Sequence, residues 1–296
     1  MSLVNVLKFI VNHPINTNQK MKALWRFAQW QISSRMAPGA IVYDWIDGSR
    51  FLVRNGETGL TGNIYTGLHE FPDMAYLLHV IREDDLFIDI GANVGSFSIL
   101  ACAARGARGI AFEPIPSSFA RLTENIRLNR IEDRVLCRNV GLGKETANLF
   151  FTSDQDTVNH ALAEGERCET SISVPVVTVD ETVTIAAPTL IKIDVEGYET
   201  PVLEGAHQTL DNPNVHSVIM ELNGSGVRYG YDESKIVSQM LAHGFKTYAY
   251  DPFLRSLEPL NARKSNSGNT IFIRNEALVR ERLRTAPAAI VLGRAL

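Results

Sequence analysis

L-F-I-D-I-G-A-N-V-G, running from Leu86 to Gly95, is the stretch from which the fold is read. Leu86, Phe87, Ile88 and Ile90 form a short apolar run, the pattern of a strand buried on both faces. Asp89 breaks the run near its end, and Gly91, Asn93 and Gly95 follow with the residue types of a tight turn. Phe97 to Cys102 then opens a helix whose small residues suit packing on a sheet. Strand, glycine-rich turn and helix make the first half of a nucleotide-binding βαβ unit.

The spacing of the turn narrows the ligand. A dinucleotide fingerprint needs G-x-G-x-x-G so that backbone can approach a pyrophosphate at a helix N-terminus. Here the order is D-x-G-x-N-x-G, and an acid two residues before the first glycine repels a pyrophosphate but suits a cation. S-adenosyl-L-methionine, with its sulfonium and ammonium groups, is such a ligand. Glu113 ends the next apolar run, Gly109–Phe112, and lies 22 residues after Gly91. That is close to the roughly 20 expected of an acid accepting hydrogen bonds from ribose hydroxyls.

Bulk properties set the frame. A chain of 296 residues holds one large α/β domain with an appendage, and 45% hydrophobic with 21% charged residues is ordinary for a globular protein. A net charge of −4 gives no reason to expect nucleic acid as a partner. Cys102, Cys137 and Cys168 show no metal spacing, and their odd number suits a reducing compartment. Leu3–Val11 is apolar but short, without a charged leader, and no run approaches a bilayer span; the expected setting is cytoplasmic.

The chain divides into an N-terminal helical segment and hairpin (1–58), a catalytic domain (59–276) and a tail (277–296). Residues 1–36 hold five basic residues and no acid, and Ala23, Leu24, Phe27 and Trp30 with Ile32 fall on one helical side. A basic amphipathic helix of this kind packs on its own domain or on a second subunit, which allows a homodimer; an anionic membrane is the rival surface. Asp47-Gly48 signals a two-residue hairpin turn. The glycine-rich Gly59–Pro72, carrying Tyr65, His69 and Glu70, is expected at the pocket rim, with Glu70 among the cofactor-binding residues. Further on, a helix is expected over Phe119–Asn129, a strand over Arg134–Val140 that brings Asn139 and Val140 to the adenine, and an inserted hairpin with a mobile tip at 153–170. Strands at 190–194 and 215–222 follow, then an antiparallel pair at 245–250 and 270–274. The end after Glu276 reads as a short helix and a weakly ordered tail.

K-I-D-V-E-G-Y-E-T, Lys192 to Thr200, is the second dense stretch. Asp194 stands at the tip of a buried strand, where a carboxylate is costly unless paired, metal-bound or used. Lys192, two residues earlier, points to the same face. Glu196 follows in the turn, so Asp194, Lys192 and Glu196 are the candidate catalytic residues. Asp194, Glu221 and Asn223 also form an oxygen set for a hard cation such as Mg²⁺. A positioned carboxylate can take the proton of an aliphatic hydroxyl, worth about 10²–10⁴-fold; a metal would lower its pKa instead. Two rivals are a nicotinamide-dependent oxidoreductase on a similar sheet and a non-catalytic module, which differ in whether Lys192, Asp194 and Glu221 line the cofactor cavity.

With both stretches in view, the chain resembles the FkbM family of S-adenosylmethionine-dependent methyltransferases. The matching pieces are F-I-D-I-G-A-N-V-G (87–95), F-E-P-I-P-S-S-F-A-R-L-T-E-N-I-R-L-N (112–129) and L-I-K-I-D-V-E-G-Y-E (190–199). The resemblance implies a Rossmann-like class I methyltransferase fold, a seven-stranded mostly parallel sheet with helices on both faces. It also implies O-methylation of a small-molecule or glycan acceptor, a sugar or secondary metabolite. D-V-E-G-Y-E-T is similar, too, to the D-x-D-x-Y-E-S-T segment of metal-dependent macrolide-sugar O-methyltransferases, whose first acid corresponds to Asp194. Their next strand carries an acidic pair, which Glu221 matches and Asn223 does not. Acceptor choice is expected from loops 153–170 and 253–268, where Arg255, Arg263, Lys264 and Asn266 suggest a polar or anionic substrate.

Overall fold

The structure, a computed structural model, describes residues 2–37, 39–54, 57, 60–153, 159–166, 169–184 and 186–296. Gly59, Cys168 and much of the expected 153–170 tip lie outside the described residues.

Helices α1 (Leu3–Asn12) and α2 (Lys20–Met36) precede the hairpin β1 (Ile41–Asp44) and β2 (Arg50–Val53). Next come α3 (Thr61–Thr66) and α4 (Phe71–Val80), then β3 (Leu86–Ile90). The glycine turn leads into α5 (Ser96–Ser98), which widens to a π-helical turn over Ile99–Ala104. β4 (Arg108–Phe112), α6 (Pro116–Leu128) and β5 (Val135–Arg138) complete the first half. An inserted sheet holds β6 (Gly141–Leu142), β7 (Ala147–Phe151) and β8 (Ile172–Val177), and α7 (Val179–Thr182) closes it. The second half is β9 (Leu190–Ile193), α8 (Glu199–Glu204), α9 (His207–Asp211), β10 (Ser217–Glu221), α10 (Glu233–Ala242), β11 (Lys246–Asp251), β12 (Ser256–Pro259) and β13 (Asn269–Ile273). Helix α11 (Glu276–Arg284) and a hairpin of β14 (Ile290–Val291) and β15 (Arg294–Ala295) end the chain described.

Among the described residues the central sheet has eight strands, ordered β12-β11-β13-β10-β9-β3-β4-β5. β5, β4, β3, β9 and β10 are mutually parallel, and β13 is antiparallel to both of its neighbours. This is the expected Rossmann-like class I methyltransferase architecture with one strand more than the seven expected. The addition is β12, an edge strand in which only Leu257 is buried, too little apolar pattern to be read from sequence.

The pleat and the register place the acids. Phe87, Ala111, Leu190 and Ile219 face one core layer with Leu100, Leu122 and Val279 of the helices. Ile88, Ile90, Ile110, Ile191, Ile193 and Met220 face the other with Leu203, Leu210 and Met240. Asp89 pairs in register with Ala111 and Lys192, and Lys192 with Ile219. Side chains alternate along a strand, so Asp89, Lys192, Glu113, Asp194 and Glu221 all emerge on the first face at its C-terminal edge.

Several local expectations are corrected. The β1–β2 pair is joined by five residues, Trp45 to Ser49, closing on a 3₁₀ turn rather than a two-residue one. Helix α6 starts three residues early because Pro116, pre-set for the first helical turn, stands at its N-terminus. The third strand stops at Arg138, and Gly141 joins the inserted sheet. On α2, Ile32 is on the solvent side, opposite the buried Ala23 and Trp30. The end of the chain is not weakly ordered: Ala289, Val291 and Leu296 are buried in the main core.

That last correction can be checked. Val291→Ala empties a fully buried position and is expected to cost about 2 kcal/mol, lowering the melting temperature by about 5 °C. A loose tail would leave calorimetric melting unchanged.

Candidate active site

A cavity of about 840 Å³ opens at the C-terminal edge of the parallel strands. Its size lies toward the upper end of the roughly 300–1,000 Å³ of small-molecule sites. Asp89, Gly91, Asn93, Glu113, Val140, Lys192, Asp194, Glu196, Glu221 and Glu70 all line it.

At one end lies the turn after β3. Asp89 is buried, and the Ser98 hydroxyl donates to its Oδ2 at 2.6 Å. Burial pushes the Asp89 carboxyl up to about 6, against the pull of Lys192 and Ser98. The turn is held from β4, where the carbonyl of Phe112 accepts both the Gly91 and Ala92 N–H groups at 3.0 and 2.9 Å. Gly91 has φ +77°, and a Cβ there would collide with the carbonyl oxygen of Asp194. Glycine is required on both counts. Glu113 accepts the Asn93 N–H through Oε2 at 2.8 Å and the Ile115 N–H through Oε1 at 2.9 Å. Burial raises it to about 7, and those two backbone donors oppose the rise. Each ionised oxygen keeps a lone pair beyond these bonds.

At the other end are β9 and β10. The Lys192 ammonium, 3% exposed, donates to Asp194 Oδ2 at 2.5 Å and sits 4.5 Å over the Phe97 ring. Burial works against its charge, but Asp194, Glu70 and Asp89 outweigh that and hold it above its ordinary range. One oxygen each of Asp194, Glu196 and Glu221 lie within 4.8 Å of one another. Burial, and after it the neighbouring Asp194 carboxylate, raises Glu221 to about 9 and Glu196 to about 7. Glu199 is buried and accepts the Val195 and Gly197 N–H groups at 3.3 and 3.2 Å, so it shapes the turn.

Three expected site residues stand off the cavity wall. Gly95 closes the turn as the N-cap of α5, at φ 90°. Asn139 donates to the carbonyls of Glu113 and Pro114 at 2.8 and 3.0 Å, so it positions the Glu113 backbone and leaves the cavity wall to Val140. Asn223 is exposed and its side chain caps the Ser225 N–H at 2.9 Å; Glu196 completes the oxygen cluster in its place. The cations of 253–268 also turn away. Arg255 donates to Ala286 and Leu296, and Lys264 to Leu222 and Glu233. Only Ser267 and Gly268 of that segment line the cavity among the described residues.

Wall residues that escaped the sequence reading include Val6 and Phe9 of α1. Thr61, Gly62 and Tyr65 of α3 line the cavity too, within the glycine-rich segment expected at its rim. Asn269 donates to Glu70 and to Asp73 at 2.8 and 3.1 Å, tying β13 to the start of α4. The spacing E-N-I-R-L-N did carry a signal. Asn125 accepts the Leu52 N–H at 2.8 Å while donating to the carbonyl of Val94, and Asn129 bonds both backbone groups of Arg50. The asparagines thus dock the β1–β2 hairpin against the glycine turn.

Residues 89–247 match the methyltransferase FkbM domain. The chain is 32% identical over 152 residues to the hexuronic acid methyltransferase AglP of Haloferax volcanii, a stretch amounting to 50% of this chain and 59% of that protein. It is 31% identical over 231 residues to the 31-O-demethyl-FK506 methyltransferase FkbM of Streptomyces tacrolimicus, covering 64% of this chain and 84% of that one. The chain therefore spans less than two thirds of the archaeal relative's length. A crystal structure of methyltransferase FkbM from Methylobacillus flagellatus overlays with a TM-score of 0.45 at 17% identity, over 65% of this chain and 44% of that one. With the domain match covering more than half of its 296 residues, the chain belongs to the FkbM methyltransferase family.

Proposed function

We propose that the protein is an S-adenosylmethionine-dependent O-methyltransferase acting on a hydroxyl of a sugar or secondary metabolite. One observation carries the reading. Six carboxylates (Glu70, Asp89, Glu113, Asp194, Glu196 and Glu221) line the cavity against Lys192, the sole Lys or Arg among its described lining residues. Such a wall attracts a cationic donor and repels the pyrophosphate of a nicotinamide dinucleotide. Lys192, Asp194 and Glu221 facing the same cavity favours an enzyme over a non-catalytic module. The hexuronic acid and FK506 methyltransferases among the relatives support a hydroxylated, sugar-like or polyketide acceptor.

When bound, S-adenosylmethionine supplies a methyl group on a sulfonium whose departure leaves a neutral thioether. Asp89 and the Gly91–Gly95 turn would receive its methionine end, and the spare lone pairs of Glu113 its ribose hydroxyls. Lys192 occupies one oxygen of Asp194 and leaves the other to accept the acceptor's hydroxyl proton. The nucleophile is thereby held and deprotonated beside the methyl carbon, where positioning supplies much of the rate. A hard cation such as Mg²⁺, if loaded, would be held by Asp194, Glu196 and Glu221 and would polarise the acceptor oxygen. A cytoplasmic setting fits the free thiols Cys102 and Cys137. Among the described residues no helix is long and apolar enough to cross a membrane.

Calorimetry and turnover test the roles. Glu113→Ala is expected to weaken S-adenosylhomocysteine binding by about 100-fold or more, since two charge-assisted hydrogen bonds are lost. Asp194→Asn should keep that affinity within a few-fold while turnover falls by about 10²–10⁴. The reverse pattern would overturn the assignment.

The carboxyl shifts set a pH dependence. Asp89, Glu113, Glu196 and Glu221 hold protons in the fold up to about 6, 7, 7 and 9, above their unfolded values of roughly 4. The fold then binds more protons than the unfolded chain between about pH 4 and 9, so its stability falls as pH rises through that window. Differential scanning fluorimetry should show the ligand-free melting temperature dropping from about pH 5 to 8, with S-adenosylmethionine restoring more of it at pH 8 than at pH 5.

A further inference from the structure

The outer face of α2 carries an apolar stripe that no other described residue covers. Met21, Trp25, Ile32 and Met36 are 79%, 66%, 59% and 78% exposed. Their spacing of 4, 7 and 4 residues keeps them within an arc of about 60°. At about 1.5 Å per residue, the stripe is about 22 Å long. The opposite face of the same helix is already used: Ala23, Trp30 and Ser34 are buried, and Arg26 and Gln31 bond Tyr65 of α3. Single exposed apolar residues need no explanation, but a helix apolar on both faces presents its outer one to something.

Charge says to what. Lys22 and Arg35 flank the stripe, Lys8 and Lys20 are exposed nearby, and the first 36 residues hold no acid. They carry five of the 29 basic residues and none of the 33 acids, so the other 260 residues carry 24 bases against 33 acids, a net −9. A second copy placed symmetrically on this face would set like charge against like. Anionic lipid headgroups complement it, and flexible Met side chains beside an interfacial Trp suit a fluid acyl boundary better than a shaped protein pocket.

We infer that the α1–α2 hairpin docks the protein on an anionic lipid surface through Met21, Trp25, Ile32 and Met36, with the basic residues engaging the headgroups. The helix lies in the interface plane and does not cross the bilayer. Because α1, the other arm of the hairpin, lines the cavity with Val6 and Phe9, docking holds the cavity beside the lipid. Acceptors carried at a membrane surface would then be met at high local concentration.

Flotation of the full-length protein with vesicles tests this. Binding is expected to phosphatidylcholine vesicles containing phosphatidylglycerol and not to phosphatidylcholine alone, and it should weaken as salt is raised. Replacing Met21 and Trp25 by Ala, or Lys20 and Lys22 by Glu, should each weaken binding by about tenfold or more. Both variants alter exposed positions, so wild-type melting and S-adenosylhomocysteine binding should be retained; these controls also separate this proposal from the methyltransferase reading. Absence of binding to the anionic vesicles, or equal binding by wild type and variants, would overturn it. A dimer in sedimentation velocity that Trp25→Ala dissociates would overturn it too, since a second copy would then cover the stripe.

Discussion

Lys192 keeps an ammonium in the middle of the sheet edge, 3% exposed, where an unpaired charge would cost several kcal/mol. Its pairing with Asp194 and the nearby Asp89 and Glu70 makes that burial tolerable. The dependence is mutual. Six carboxylates around one cavity would repel one another without that cation, and burial beside Asp194 and Glu196 still holds a proton on Glu221 through neutrality. The site is thus an excess of negative charge partly neutralised from within, which leaves it ready for a positive ligand.

Geometry makes this possible at little extra cost. Parallel pairing of β4, β3, β9 and β10 aligns strand ends, and alternation then brings every second residue to one face. Asp89, Lys192 and Asp194 could be placed from sequence alone because they sit in or just beyond strongly apolar strands, where parity can be counted. Glu113 was legible for the same reason. Glu196 was visible as a turn acid, but its membership of the cluster depends on a residue at φ 53°, which no pattern of apolar spacing records.

What was not legible is what depends on distant packing. Asn139 and Asn223 have the right residue type at a strand end, yet local carbonyl and N–H groups claim both side chains. Arg255 and Lys264 read as acceptor ligands, but the carbonyls of Ala286 and Leu296 take the first and Glu233 the second. Val6 and Phe9 reach the cavity only because α1 packs on the segment that follows α3, where the Phe9 ring meets His69 edge-on at 5.0 Å, a contact between residues 60 apart in sequence. The eighth strand pairs through backbone groups, which sequence does not display.

Gly91 links the two halves of the site more tightly than their separation in sequence suggests. Its Cα lies so close to the Asp194 carbonyl that no side chain fits between them, and the Asp194 N–H donates to Ile90 at 3.0 Å. The donor turn and the acid turn are therefore one rigid body, with no clearance for slippage between them. A chimera taking either segment from a homologue must import the other with it, and divergence of acceptor preference is pushed outward into the peripheral wall, where substitutions leave the paired turns undisturbed.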